Sequence, residues 1–218
     1  MKTPGGLFIT GTDTGVGKTY VTTRFVRGLR TRGIDAVGFK PICCGGREDA
    51  EALHKAAGGA LPLNEVNPVW LRAPVAPYAA SLIENRAVDL DLIRETYLRL
   101  RERHAVVLVE GVGGWLVPIR RDFTTADLAA EWSLPVVVVV GNRLGSLNHT
   151  ALTVQAIRGA GLACAGLIFN AGLSLAVEPS PDDQTLARAT NRGVLEEWLG
   201  VPVLASVEAD QRDLNFPI

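Results

Sequence analysis

Gly11-Thr12-Asp13-Thr14-Gly15-Val16-Gly17-Lys18-Thr19 follows directly on the apolar run Leu7-Phe8-Ile9. Read as a strand, a glycine-rich turn and the start of a helix, this stretch aims successive backbone N–H groups and a positive helix end at one place, which suits a polyphosphate. In such a loop Lys18 reaches the outer phosphates and the Thr19 hydroxyl ligates a magnesium ion bridging them. The strict pattern of this loop asks for glycine five places before Gly17, where this chain has Thr12, with Gly11 one place earlier. The context carries the reading: Val21, Phe25, Val26 and Leu29 recur at helical spacing, and Gly33 is placed to end that helix.

Working outward, further apolar runs read as strands at 36–39, 105–109, 135–140, 165–169 and 201–205. Helical segments alternate with them. One covers 49–57 and closes at Gly58-Gly59, and another starts at Asp89 with Leu90, Ile93, Tyr97 and Leu100 on one face. Thr124 can cap a helix over 126–132, and Gly145-Ser146 opens a helix that Gly161 ends. A last helical stretch covers 182–199, after a loop over 174–181, and the proline-rich stretch 62–77 reads as an ordered excursion over the surface. Strand and helix in alternation give an α/β fold, a doubly wound and mainly parallel sheet flanked by helices.

At 218 residues the chain suits one domain over 1–218 with a large core. A net charge of −1 with both signs scattered provides no basic stripe for nucleic acid and no polybasic patch for a membrane. The longest apolar run, 134–140, is too short to span a bilayer, and a strand beginning by Leu7 leaves no room for a leader. Cys43, Cys44 and Cys164 form no CxxC pair, so neither a disulfide framework nor a zinc site is expected, and the chain reads as cytoplasmic.

In a doubly wound sheet, ligands bind at the carboxyl ends of the strands. Here those ends carry the phosphate loop, Lys40, Glu110, residues 142–148 and Asn170. Glu110 suits a magnesium ion held directly or through water, and Gly111-Val112-Gly113-Gly114 lets backbone approach a ligand. Asp49 fits either a carboxylate near the metal or one favoured by the first turn of a helix. Lys40 is either solvated or set to neutralise charge on a γ-phosphate during transfer. Gly145-Ser146-Leu147-Asn148 places a helix N-terminus, capped by Ser146, that either binds an anion such as a carboxylate or is simply capped. His54, His104 and His149 are isolated and read as structural or solvated, and Trp115 and Trp198 as core or pocket wall.

With these residues assembled, the chain resembles the dethiobiotin synthetase family of P-loop NTPase type. The resemblance rests on Phe8-Ile9-Thr10-Gly11-Thr12-Asp13-Thr14 through Gly17-Lys18-Thr19, Gly38-Phe39-Lys40-Pro41, Val109-Glu110-Gly111-Val112-Gly113-Gly114-Trp115 and Leu144-Gly145-Ser146-Leu147-Asn148-His149. A looser match runs from Asn67-Pro68 to Pro77. The family's loop shares the departure at Thr12.

The resemblance implies a reaction between 7,8-diaminononanoate, carbon dioxide and ATP that closes the cyclic urea of dethiobiotin, through a carbamate and a carbamic-phosphoric anhydride. It implies Lys18, Lys40 and Thr14 as catalytic residues and Thr19, Asp49 and Glu110 as magnesium ligands. Nucleotide contacts are implied for Gly15, Val16, Gly17 and Tyr20, for Gly111, Val112 and Gly113, for Asn170 and Ala171, and for Pro202, Val203 and Leu204. Substrate contacts are implied for Thr14, Lys40, Cys44 and Gly114, and for Gly145, Ser146, Leu147 and Asn148 contributed across a homodimer interface. The chain has Gly15 where many members carry an acidic residue and Cys44 where many carry serine; thiol is the weaker hydrogen-bond donor. No tyrosine lies between Ser174 and Leu199, where some members set one against the substrate. Partitioning ATPases share the fold but carry a second lysine where this chain has Asp13, and cobyrinate-type amide ligases add a glutaminase domain. A nucleotide-binding protein without catalysis is disfavoured by Lys40 and Glu110 at strand ends beside the loop.

Overall fold

The computed structural model describes residues 5–170 and 181–207. In chain order its elements begin with β1 (Gly6–Gly11), α1 (Lys18–Thr31), β2 (Ala36–Phe39), β3 (Ile42–Cys44), α2 (Glu48–Ala56) and α3 (Leu63–Val66). Next come β4 (Val69–Leu71), α4 (Pro77–Ile83), α5 (Leu90–Arg103), β5 (Val106–Glu110), β6 (Pro118–Arg120) and β7 (Phe123–Thr124). The chain continues with α6 (Thr125–Trp132), β8 (Val136–Gly141), α7 (Ser146–Gly159), β9 (Cys164–Asn170), α8 (Pro181–Leu199) and β10 (Val203–Val207). The loop expected over 174–181 falls, apart from its last residue, outside the described residues.

One sheet of six strands has the order β10-β9-β8-β1-β5-β2, and every neighbouring pair in it is parallel. The doubly wound α/β expectation therefore holds. The residues of β5 and β8 are buried throughout, as helices on both faces of a parallel sheet require. The chain builds β2 and β5 on one side of β1 and β8, β9 and β10 on the other. The order reverses at β1, and the glycine loop leaves that strand at its carboxyl end, where such sheets open a crevice.

Local signals set most helix boundaries. The Asp89 carboxylate accepts the Leu92 N–H at 2.9 Å at the start of α5, and Leu90, Ile93, Tyr97 and Leu100 are all buried on one face. Tyr97 stacks on Trp132 of α6 with ring centroids 4.1 Å apart and on Phe39 of β2 at 6.1 Å. Thr124 and Asp127 form a reciprocal capping box at α6.

The stretch 62–77 departs from its reading. It folds inward instead of running over the surface: α3 and β4 lie within it, β4 pairs in parallel with β3, and Val66, Asn67 and Leu71 are buried. Pro41 does end β2, but the chain bends there and β3 starts at once, a three-residue strand too short to show as periodicity. The helix α4, with proline at its first position, and the antiparallel pair β6 and β7 are likewise absent from the sequence reading. Trp115 is buried as expected, whereas Trp198 is 61% exposed in the last turn of α8. No described helix is long and apolar enough to cross a membrane.

Gly38 lets β2 approach α2 closely: a Cβ there would lie 2.8 Å from Leu53 Cδ2 and 3.0 Å from Leu53 Cβ. Gly38→Val is expected to lower the unfolding free energy in urea by roughly 1–3 kcal/mol, the usual cost of overpacking a filled core.

Candidate active site

The loop between β1 and α1 needs glycine where neighbours press on the backbone. A Cβ at Gly11 would lie 2.5 Å from Val16 Cγ2, so the crowded position is Gly11 and not Thr12, which explains the offset motif. Gly17 has φ 90°, and a Cβ there would lie 2.1 Å from Asn170 Nδ2. Asn170, at the carboxyl end of β9, donates that amide to Val16 O at 3.1 Å and so holds the loop against the sheet. Lys18 is buried and donates from Nζ across the loop to Asp13 O at 3.1 Å. Burial, and then the neighbouring Lys40 ammonium, push Lys18 down to about 8, against the partial pull of Glu110, Asp49 and Asp13.

Beside the loop, two strand ends and the first turns of two helices bring four groups together. Lys40 Nζ donates to Glu110 Oε1 at 2.6 Å and Asp49 Oδ2 at 2.8 Å. Thr19 Oγ1 lies 2.6 Å from Asp49 Oδ1 and 2.7 Å from Glu110 Oε1. Burial disfavours the Lys40 ammonium, but the Glu110 and Asp49 carboxylates outweigh it and hold Lys40 above the ordinary lysine range. Burial likewise works against the Asp49 carboxylate, and Lys40 and the Thr19 hydroxyl overcome it, leaving Asp49 below its ordinary value. Glu110 is 0% exposed, and its Oε2 has no hydrogen-bond partner among the described residues. An orphaned carboxylate oxygen among hard oxygen donors fits a magnesium ion that takes its other ligands from phosphate and water. The described residues offer no group of three His, Cys, Asp or Glu that could cage a metal unaided.

Over this cluster opens a cavity of about 470 Å³. Lys18, Thr19, Lys40 and Asp49 form its polar floor; Ile42, Cys44, Val75, Pro77, Val112 and Val117 form a mostly apolar wall. Burial raises the Cys44 thiol to about 11, so it stays neutral at physiological pH. Thr14, Gly15, Gly17 and Gly113 complete the rim, Val16 is a buried residue of the loop itself, and Glu110 and Gly111 are buried at the end of β5. Tyr20 turns away along α1, its ring under the Arg24 guanidinium at 3.0 Å. Gly114 borders a second cavity of about 390 Å³ on the other flank of the loop, with Thr12, Thr14, Trp115, Leu116 and Leu152.

Two expectations about placement are corrected, the Ser146 cap and the position of 202–204. Ser146 is not the cap of α7: Gly145 takes that position with φ 88°, and the Ser146 hydroxyl accepts the Asn191 amide at 3.0 Å instead. Gly145 to Asn148, expected to serve the site of a second copy, line neither cavity of their own chain. Pro202, Val203 and Leu204 lie at the wrong end of the sheet for a base beside the loop. Val203 is in register with Leu167 and Val207 with Asn170, and the Leu204 side chain covers Gly166, where a Cβ would sit 2.3 Å from Leu204 Cγ. Three residues of strand, roughly 10 Å, separate them from the loop end. Ala171 lies outside the described residues.

Sequence reading passed over the apolar wall from Ile42 and Val75 to Pro77, and over Asn67, whose amide donates to Lys40 O at 2.9 Å. The Asn-Pro pair at 67–68 was its only signal.

A family model described as an AAA domain matches residues 5–215. The ATP-dependent dethiobiotin synthetase BioD of Akkermansia muciniphila is 45% identical over 210 residues, covering 96% of this chain and 95% of its own. That of Anaeromyxobacter dehalogenans strain 2CP-C is 50% identical over 169 residues, 76% of each chain. Among solved structures, a ParA family ATPase from Chlorobium tepidum aligns with TM-score 0.56 at 10% identity over 96% of this chain and 86% of that one. The septum site-determining protein MinD of Pyrococcus horikoshii aligns with TM-score 0.54 at 20% identity over 94% and 81%. The structural likenesses establish the fold.

Gly17→Ala is expected to abolish ATP binding in equilibrium titration, because the methyl group cannot share space with Asn170 and the φ is left-handed. Lys18 gives a second expectation. Below pH 8 it is already charged in the free protein. Between there and the ordinary lysine range of about 10.4 it is neutral when free and recharged by phosphate, so ATP binding takes up a proton and weakens as pH rises. Calorimetry at about pH 9 in buffers of differing ionisation enthalpy reads that uptake, and zero uptake contradicts it.

Proposed function

This chain belongs to the dethiobiotin synthetase family of ATP-dependent ligases in biotin biosynthesis, and from that premise we propose how its residues carry the reaction. The observation that carries the proposal is the Lys40 ammonium, buried on the floor of a cavity it shares with the phosphate loop. One amine of 7,8-diaminononanoate adds carbon dioxide and loses a proton, giving a carbamate. A carbamate oxygen attacks the γ-phosphorus of ATP, the bond to the bridging oxygen breaks and ADP leaves. The second amine then attacks the carbonyl carbon of the mixed anhydride, phosphate departs, and loss of a proton leaves the cyclic urea.

Each residue has a task that follows from its place. The loop amides over Gly15, Val16, Gly17 and Tyr20, with Lys18, hold the triphosphate, as a strand-loop-helix entry does. Lys40, with Thr14 at the rim, draws the anionic carbamate and the γ-phosphate together and offsets the charge that gathers as phosphoryl transfers. We assign Thr19, Asp49 and Glu110 to a magnesium ion, which when bound neutralises phosphate charge. The apolar wall from Ile42 to Val75 and Val112 suits the methylene chain of the diamine, and the neutral Cys44 thiol excludes no part of it. We assign Asn170, which holds Val16, to the base side of the nucleotide, and Gly111 to Gly113 to its other contacts.

Residues 145–148 of a second copy complete the site in this reading, the helix N-terminus of α7 receiving the substrate carboxylate. Leu116 and Leu152, both more than half exposed, line the second cavity on the flank of the loop, which supports a homodimer there. We read the chain as one catalytic domain over 1–218. Its three free cysteines suit the reducing cytoplasm.

ADP release from magnesium-ATP and bicarbonate should require the diamine and should accompany formation of a cyclic urea detected by mass; diamine-independent release refutes the assignment. Lys40→Ala is expected to cut turnover to a residual rate, about 10²–10³-fold below wild type, while ATP binding stays largely intact. Asn148→Ala should raise the KM for the diamine more than that for ATP, and equal effects count against a carboxylate site on α7.

A further inference from the structure

Lys40 and Asp49 face each other at 2.8 Å but come from different elements. Lys40 follows the last residue of β2, where Pro41 ends the strand, and Asp49 stands in the first turn of α2. The Lys40 backbone is held by the 66–67 segment: its N–H donates to Val66 O at 2.8 Å, and its carbonyl accepts Asn67 Nδ2 at 2.9 Å. Asn67 is 1% exposed and its amide is fully used. The second N–H donates to Val69 O at 2.9 Å, and Oδ1 accepts Arg47 Nε at 3.0 Å.

Arg47 is the residue that caps α2, two positions before Asp49. Its guanidinium also donates to Asn67 O at 3.0 Å, to Asn64 Oδ1 at 3.1 Å and to Leu63 O at 3.4 Å, and lies 5.2 Å from the centre of the Trp70 ring. Every one of these acceptors is neutral, and among the described residues Arg47 forms no ion pair. An arginine with its fork directed at one asparagine and its backbone fixes geometry between two chain segments, which a lysine point charge cannot do.

We propose that Arg47 and Asn67 are positioning residues for catalysis: a clamp that ties the start of α2 to the end of β2 and so sets the Lys40 ammonium against Asp49 and the reacting phosphate. The proposal rests on the reading of Lys40 given above and extends it to two residues that touch neither nucleotide nor cavity. The clamp does not reach the phosphate loop, which β1 and Asn170 hold. Loss of the clamp should therefore lower turnover without weakening ATP.

The experiment compares Asn67→Ala and Arg47→Gln with the wild-type full-length protein in single-turnover dethiobiotin formation and in steady state. Outer partners of site residues typically matter by about 10–100-fold, and a kcat loss of that order is expected with the KM for ATP changed less than about twofold. The same substitutions are then made in Lys40→Met. Acting through Lys40, they should add little to its loss of rate, while any loss of Tm persists unchanged. Full additivity with Lys40→Met, an unchanged kcat, or a rise in the KM for ATP matching the fall in kcat would overturn the proposal. Arg47→Lys should stay near the rate of Arg47→Gln, since charge without the fork cannot hold Asn67; restoration by lysine also overturns it. Arg47 is half-buried at a helix start, so Arg47→Gln keeps the test open if Asn67→Ala does not fold. A wild-type protein that forms no cyclic urea would sink the functional reading instead, and is seen in the same assay.

Discussion

A buried ammonium held between two carboxylates organises this molecule. Lys40, at the end of β2, reaches Asp49 in the first turn of α2 at 2.8 Å and Glu110 at the end of β5 at 2.6 Å, and the Thr19 hydroxyl of α1 bridges the same two carboxylates. Glu110 is wholly withdrawn from water, so its charge is tolerable only beside a cation. Removing one member of such a pair typically costs about 3–5 kcal/mol, against a total stability of about 5–15 kcal/mol for a domain. The same charges that could hold a metal and meet a phosphate therefore also hold the sheet ends together. With Lys18 nearby the four charges balance before any ligand enters, two positive and two negative.

The sheet supplies the geometry for this. Parallel strands bring every carboxyl end to one edge, and the reversal of strand order at β1 leaves a crevice between helices rather than a packed seam. Backbone amides of the loop fill one side of the crevice, the charged cluster its floor, and the short β3 and α4 its apolar wall. Polar and apolar recognition thus occupy opposite walls of one cavity of about 470 Å³, a size suited to a small substrate. Rigidity comes from side chains one layer further out. Asn170 fixes the loop to β9, and Asn67 fixes Lys40 to the 62–77 stretch.

That stretch shows where local reading fails. Its four prolines and short runs resemble a surface excursion, yet it folds inward because β4 finds β3 and because Asn67 satisfies carbonyls on two segments at once. Three-residue strands and a four-residue helix carry too little periodicity to register in sequence. Pro202 to Leu204 fail for another reason. A strand run shows where apolar residues are but not how it lines up with its neighbour, and register placed this end of β10 away from the loop. Ser146 looked like a cap by residue type, but the left-handed Gly145 took that position and left the hydroxyl to Asn191.

The six sheet strands, the helices α1, α2, α5, α6, α7 and α8 and the phosphate loop were legible because each rests on local chemistry: apolar runs, spacing of three and four, capping side chains, and glycines where backbone crowds. Lys40 and Glu110 could be singled out because a charge ending an apolar strand is placed by topology alone. Asp49 could not be resolved, since a carboxylate in a helix first turn looks the same in sequence whether it faces solvent or a lysine. The tertiary structure decided that, and with it the pairing of Lys40, the burial of Glu110 and the part of Asn67. Those are contacts between residues distant in the chain, and only the packing of α2 on β2 and the register of β2 with β5 bring them within hydrogen-bond distance.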